Sequence, residues 1–377
     1  MRILVTGGAG FIGSWLVESL IKAGHTITVI DNLSPQIHGH LPSMDVSWLN
    51  KDSGVNFIRA DIRDLKVMDQ ALANNDAVVH LAAETGTGQS MYQVAHYYDV
   101  NQQATAAMFE AITTRHKHIQ QVVLASSRSI YGEGAYLLNG QLFTPSSRDA
   151  KHLHAGQFEP AGPNGERLEL IATPESTAAM PASVYAATKL ANETLGRLMA
   201  EAYGLQVTAL RFQNVYGERQ SLKNPYTGLL SIFSNRMRQN LPINIFEDGK
   251  ESRDFVHVSD VVQAIALTLQ EKPRGFQAIN IGSGVATSVM DVARQLRSLL
   301  SSTSELKISG DFRAGDIRHC YADLSQARKN IKFTPRIDLE TGLSRFVSWV
   351  GTQAIAEDKS EAAMAELSKL GLGRPAK

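Results

Sequence analysis

Within thirteen residues of the start, the apolar run Ile3-Leu4-Val5 gives way to Gly7-Gly8-Ala9-Gly10-Phe11-Ile12-Gly13 and then to a helical pattern. Few folds accept that order. Side chains at Gly7 and Gly10 would keep a bulky anion away from the backbone, and one at Gly13 would hold the helix off the strand. The helix amino terminus adds N–H donors and the positive end of a dipole. The turn therefore predicts a pyrophosphate held by Gly7, Gly10, Phe11, Ile12 and Gly13. A tight strand–helix turn has the same glycines, so the next strand has to separate the two readings. It ends in Asp31, 18 positions after Gly13, where a carboxylate accepts hydrogen bonds from ribose hydroxyls. No Arg or Lys follows Asp31 before Lys51 to greet a 2′-phosphate, so the expected dinucleotide is NAD rather than NADP. The alternative for Asp31 is a turn cap. Asn32 follows it, and Asp61-Ile62 after the third strand is expected near the adenine, or else Asp61 is a solvated loop acid.

Short β-branched runs alternate with longer helical patterns through the first half, the rhythm of parallel βαβ units. Arg2–Thr6, 26–30, 55–59, 77–81, 122–125 and 207–211 read as strands and 11–23 as a helix. Continuous apolar strands belong to a sheet covered on both faces, so the fold class is α/β: a doubly wound parallel (Rossmann) sheet, to which the family resemblance given below adds a smaller carboxyl-terminal substrate-binding domain. Apolar residues make up 43% of 377, enough for such a core. Lys+Arg equals Asp+Glu at 37 each, so no net charge draws the chain to nucleic acid. No stretch reaches the ~20 apolar residues of a membrane span, and the start has no room for a signal-peptide apolar region. The single Cys320 excludes an internal disulfide. A cytoplasmic protein is expected.

Tyr185-Ala186-Ala187-Thr188-Lys189 opens a helical stretch, and positions four apart share a face. An ammonium there favours phenolate, as a general base near neutral pH requires. With the glycine turn and Ala125-Ser126-Ser127 at a strand end, this set resembles the extended short-chain dehydrogenase/reductase family, in register from Met1 to about Trp349. The resemblance implies Tyr185, Lys189 and Ser127 as the catalytic set, Ser127 standing four places before Tyr131-Gly132; Ser126 is then a core or turn serine. His80-Leu81-Ala82-Ala83 resembles the segment lining the cofactor, and Asn101 the family's helix-positioned asparagine, with His80 itself read as a core histidine. For the substrate, the resemblance implies contacts from Thr87, Ser127, Arg128, Asn214, Arg253 and Arg313, the two last pairing with a diphosphate.

Family members isomerise, dehydrate, decarboxylate or reduce nucleotide sugars. The family's 4,6-dehydratases carry Asp-Glu where this chain has Arg128-Ser129, and reductases usually prefer NADP, so an NAD-recycling epimerase is expected. Residues 84–90, 126–134, 224–228 and 246–249 resemble the dTDP-L-rhamnose 4-epimerase group; a UDP-hexose 4-epimerase and a non-catalytic dinucleotide sensor are the alternatives. The implied division is 1–212 with 255–272 for the dinucleotide, 213–254 with 273–350 for the nucleotide sugar, and 351–377 as a surface tail. Residues 133–174 form a long Gly/Pro/Ser-rich insert, either a lid on the sugar or a surface decoration. Relatives with a metal knuckle in that insert have paired cysteines; none is present here, so no metal is expected, His152 and His154 being two solvated histidines. Cys320 is either a small side chain enlarging the sugar pocket or a core cysteine. The resemblance also implies a homodimer through helices near 90–113 and 185–203.

Overall fold

The computed structural model describes residues 1–38, 54–222, 224, 228–313, 316–356, 358 and 360–374. Lys51 and residues 225–227 lie outside them, as does the Arg313 side chain. The principal strands are β1 (Arg2–Thr6), β2 (Thr26–Asp31), β3 (Val55–Arg59), β4 (Ala77–His80), β5 (Gln121–Ser127), β6 (Gln206–Phe212) and β7 (Phe276–Ile281). They form one parallel sheet in the order β3-β2-β1-β4-β5-β6-β7. The order reverses between β1 and β4, and in open α/β sheets ligands bind beyond the carboxyl ends at such a point. Six of these strands were legible as apolar runs. β7 was not, because Gln277 and Asn280 interrupt it; it pairs in register with β6 from Phe276↔Val207 to Ile281↔Phe212.

Side chains alternate across the sheet, as the two-residue period of a strand demands. Ile3, Val5, Val29 and Ile279 point to one face, packed by Leu16, Val17 and Leu20 of α1 (Phe11–Lys22) and by Val261, Ile265 and Leu269 of α5 (Val258–Glu271). Leu4, Ile30, Val78 and Val122 point to the other, under α2 (Leu65–Ala73), α3 (Ala104–Thr114) and α4 (Val184–Tyr203). Each buried Leu, Ile or Val contributes about 1.5–3 kcal/mol, so the sheet is a stiff frame and holds the loops at its carboxyl ends. A separate apolar core joins Tyr216, Phe233, Ile243, Val292, Leu296 and Phe346 in the later part of the chain.

The insert is ordered rather than a loose loop. Tyr136–Leu138 pairs antiparallel with Gln141–Phe143 and Glu169–Leu170, and Ala150–His154 is a short helix capped by Asp149. Ion pairs fasten it: in the interior Arg148 lies 2.8 Å from Glu133 and 2.7 Å from Glu247, and the exposed Glu159 of the insert meets the fully buried Arg318 at 2.5 Å. The tail, a helix-like stretch in the sequence, forms a helix, Ser360–Lys369, and adds a strand, Gly373–Arg374, which pairs with Phe312–Arg313. Among the described residues no helix is long and apolar enough to cross a membrane.

Candidate active site

The switch point opens into a cavity of about 510 Å³. The glycine turn forms its floor. Gly7 has φ +70°, and a Cβ there would come within 2.7 Å of the Ala82 backbone nitrogen; a Cβ on Gly13 would lie 2.3 Å from the Gly7 carbonyl oxygen. This cradle leaves backbone bare beside the amino terminus of α1, and it fits a dinucleotide pyrophosphate. Phe11, Ile12, Asn32, Asp61, Ile62, Leu81, Ala82 and Ala83 line the same cavity.

Asp31 ends β2 at the cavity wall. Its carboxylate accepts from Leu33 N at 2.9 Å and Ala9 N at 3.0 Å, so it does cap a turn, and it also faces the cavity. No Arg or Lys pairs with it among the described residues; His38 Nε2 stands 3.8 Å away, and burial lowers its pKa. Asp61 is not a free loop acid. Hydrogen bonds from Arg63, at 2.9 Å, and from Asn32 hold its pKa down at about 2.

The opposite wall is built by β5 and α4. Ser183 caps α4 through Ala186 N, which sets Tyr185 in the first turn, and Lys189 follows one turn later. Lys189 Nζ donates to the Ala125 carbonyl oxygen at 2.9 Å and lies 5.8 Å from the centre of the Tyr185 ring. Burial pushes the Lys189 ammonium down to about 8. The expectation that Lys189 lowers the phenol's pKa is not met in the free protein. Burial raises Tyr185, outweighing the lowering by a hydrogen bond to Ser127 and by the charge of Arg128. Both serines border the cavity. Ser126 is buried and donates its hydroxyl to Glu193, which Arg211 pairs at 2.7 Å, whereas Ser127 caps the short turn Arg128–Tyr131.

Several predicted residues act at one remove. His80 is a core histidine, bonded to Thr6 at 2.8 Å and Thr105 at 3.0 Å, and burial pushes it down to about 3. Asn101 sits in a wide-turn segment, Tyr98–Gln103, and holds the Glu84 backbone and Thr188 rather than facing the cavity. Among substrate candidates, Thr87, Arg128 and Asn214 line the cavity and Arg253 does not. Arg253 donates to the carbonyls of Ser252 and Arg318, and to Asp316 at 3.1 Å, so the buried guanidinium is already satisfied within the protein. Cys320 is a core cysteine among Ile130, Tyr131 and Ile317. Gln213, Tyr216 and Gln220 also line the cavity. Sequence reasoning passed over them, since only the fold carries the chain from β6 back across the site.

A doubly wound sheet whose switch point joins a glycine cradle to a Ser/Tyr/Lys wall defines a nicotinamide-dependent Rossmann enzyme class. The chain belongs to the NAD dependent epimerase/dehydratase family, whose sequence profile matches residues 3–282. It is 37% identical to the dTDP-L-rhamnose 4-epimerase of Burkholderia thailandensis over 93% of this chain and 95% of that one. Its fold is similar to the UDP-glucose 4-epimerase of Thermotoga maritima with UDP-glucose (TM-score 0.73, 29% identity, 93% and 99% covered). It is also similar to that of Thermus thermophilus in complex with NAD (TM-score 0.72, 27% identity, 94% and 100% covered).

Proposed function

We propose that this chain is an NAD-dependent 4-epimerase, an isomerase, acting on a nucleotide-diphosphate sugar, with dTDP-L-rhamnose as substrate. The observation that carries the reading is the placing of Ser127, Tyr185 and Lys189 on one wall of a cavity floored by the Gly7–Gly13 cradle. Gly7, Gly10, Phe11, Ile12 and Gly13 would hold the pyrophosphate, Asp31 and Asn32 the ribose, and Asp61 and Ile62 the adenine side. When bound, NAD supplies the hydride acceptor, and then the donor, for one sugar carbon. Tyr185 removes the hydroxyl proton at C4 while that carbon loses its hydride, leaving a ketone. Ser127 bonds first the hydroxyl and then the ketone oxygen. The sugar turns over, and hydride returned to the other face, with the proton from Tyr185, gives the epimer. Because no second reductant is consumed, the purified protein should carry NAD in near-stoichiometric amount.

Likeness to the Burkholderia enzyme supports the choice of dTDP-L-rhamnose. The test is to incubate the protein with dTDP-L-rhamnose and, separately, with UDP-glucose and resolve the products. Conversion of the first is expected; conversion of UDP-glucose alone would reject the substrate, and inertness of both with bound NAD would favour a dinucleotide sensor. Tyr185→Phe should lose roughly 10²–10⁴-fold in kcat while still retaining NAD. We further propose that residues 213–254 and 273–350 receive the nucleotide sugar, with Arg313 on the diphosphate, and that the protein works in the cytoplasm as a homodimer. Exposed apolar side chains on the two expected pairing segments, Met91, Val94, Tyr98, Leu198 and Tyr203, support the dimer.

A further inference from the structure

On the Ser127 and Tyr185 side of the cavity, Arg128 Nη1, Gln213 Nε2 and Asn214 Oδ1 are shut off from solvent and have no hydrogen-bond partner among the described residues. Leaving such a group unmade costs about 1–3 kcal/mol, and more when it is charged, so a ligand that completes them is the natural account. Arg128 stands out among the three. It follows Ser127 directly where β5 ends, and its charge reaches the Tyr185 phenol. Burial and the like charge of Arg253 oppose its protonated form, with Asp316 and Cys320 acting the other way. Asp316 pairs with Arg253 at 3.1 Å, and among the described residues no carboxylate forms an ion pair with Arg128. The anion that would compensate it is the Tyr185 phenolate, which the reaction requires as its base before the hydroxyl proton is taken. Lys189, held to the Ala125 carbonyl and 5.8 Å from the ring centre, leaves room for a second cation.

We propose that Arg128 belongs to the reaction centre: through Nη1 it donates to an oxygen of the bound sugar, and its charge stabilises the ionised oxygen of Tyr185. This rests on the reading of Tyr185 as the base. The guanidinium suits both tasks at once: its charge, which an ammonium shares, serves the phenolate, and its fork of fixed donors, which an ammonium does not reproduce, serves the sugar oxygen.

Titration of Tyr185 is followed as the tyrosinate absorbance difference between wild type and Tyr185→Phe, with NAD and no sugar, and then in pairs carrying Arg128→Gln or Arg128→Lys. Loss of the charge in Arg128→Gln is expected to raise the titration midpoint by about one pH unit, and Arg128→Lys to restore most of it. With dTDP-L-rhamnose, both variants should raise KM roughly tenfold, the worth of one hydrogen bond to a charged donor; only Arg128→Gln should also shift the kcat–pH profile upward. Retained NAD and an unchanged thermal midpoint identify folded variants, and Arg128→Lys serves for the titration if Arg128→Gln does not fold. An unmoved Tyr185 midpoint would overturn the electrostatic role, and an unchanged KM the contact with the sugar. Should the wild type convert no nucleotide sugar, the function proposed above fails, yet the titration still decides what Arg128 does to the phenol.

Discussion

At the scale of single residues, adjacent side chains of β5 have opposite assignments, and substitution separates them. Ser127→Ala removes the donor facing the reacting oxygen and should lower kcat by roughly 10²-fold with little change in thermal midpoint. Ser126→Ala instead takes a donor from buried Glu193, which keeps Arg211, and should cost about 1 kcal/mol of stability with kcat nearly intact. Equal kinetic loss in both variants would refute the division. His80 offers a pH test. Its folded-state pKa is pushed down to about 3 from 6.5, so as pH falls the unfolded chain takes up the proton first. Stability is fully present above pH 6.5 and drains away progressively towards pH 3. His80→Gln can still bond Thr6 and Thr105 and should narrow the difference between urea midpoints at neutral and mildly acidic pH. An unchanged difference would mean that other groups govern acid lability.

At the scale of elements, the insert presents the sharpest case. Arg148 bridges Glu133 and Glu247, all three nearly inaccessible, and also donates to the carbonyls of Phe158 and Asp316. Arg148→Met would leave two buried carboxylates without their shared cation, a loss of about 3–5 kcal/mol. Hydrogen exchange should then speed up across Tyr136–Leu138 and Ala150–His154 while β1 and β4 stay protected. Uniform protection throughout would show that the clamp is not what holds the insert. Residues 134–174 line none of the main cavity, so the insert covers the neighbouring body of the protein rather than the reacting wall. Its buried charges, not its composition, decide this, which is why a Gly/Pro/Ser-rich stretch read as lid or decoration.

At the scale of the whole molecule, Leu198 and Tyr203 of α4, the helix that carries Tyr185, and Met91, Val94 and Tyr98 before α3 are exposed apolar side chains open to the proposed pairing. Light scattering should give twice the chain mass. Leu198→Glu with Tyr203→Glu should yield a monomer, because a charge on each copy cannot be buried without a partner. A wild type of single-chain mass would exclude the dimer.

Period and punctuation along the chain were enough to determine the parallel sheet, the cradle at Gly7–Gly13 and the acid at Asp31, and resemblance to the family singled out the Tyr185/Lys189 pair from a common spacing. Each of those depends on neighbours within a strand, a turn or one helical turn, so local sterics and hydrogen bonding write them into the order of residues. Only tertiary packing decided the rest. It sent Arg253 to interior carbonyls and left Arg128 Nη1 without a hydrogen-bond partner among the described residues, placed Cys320 in a core, added β7 to the sheet edge and brought the tail back to Phe312–Arg313. Those outcomes turn on which charges and carbonyls meet across long stretches of chain, and on burial raising the cost of every unmade contact.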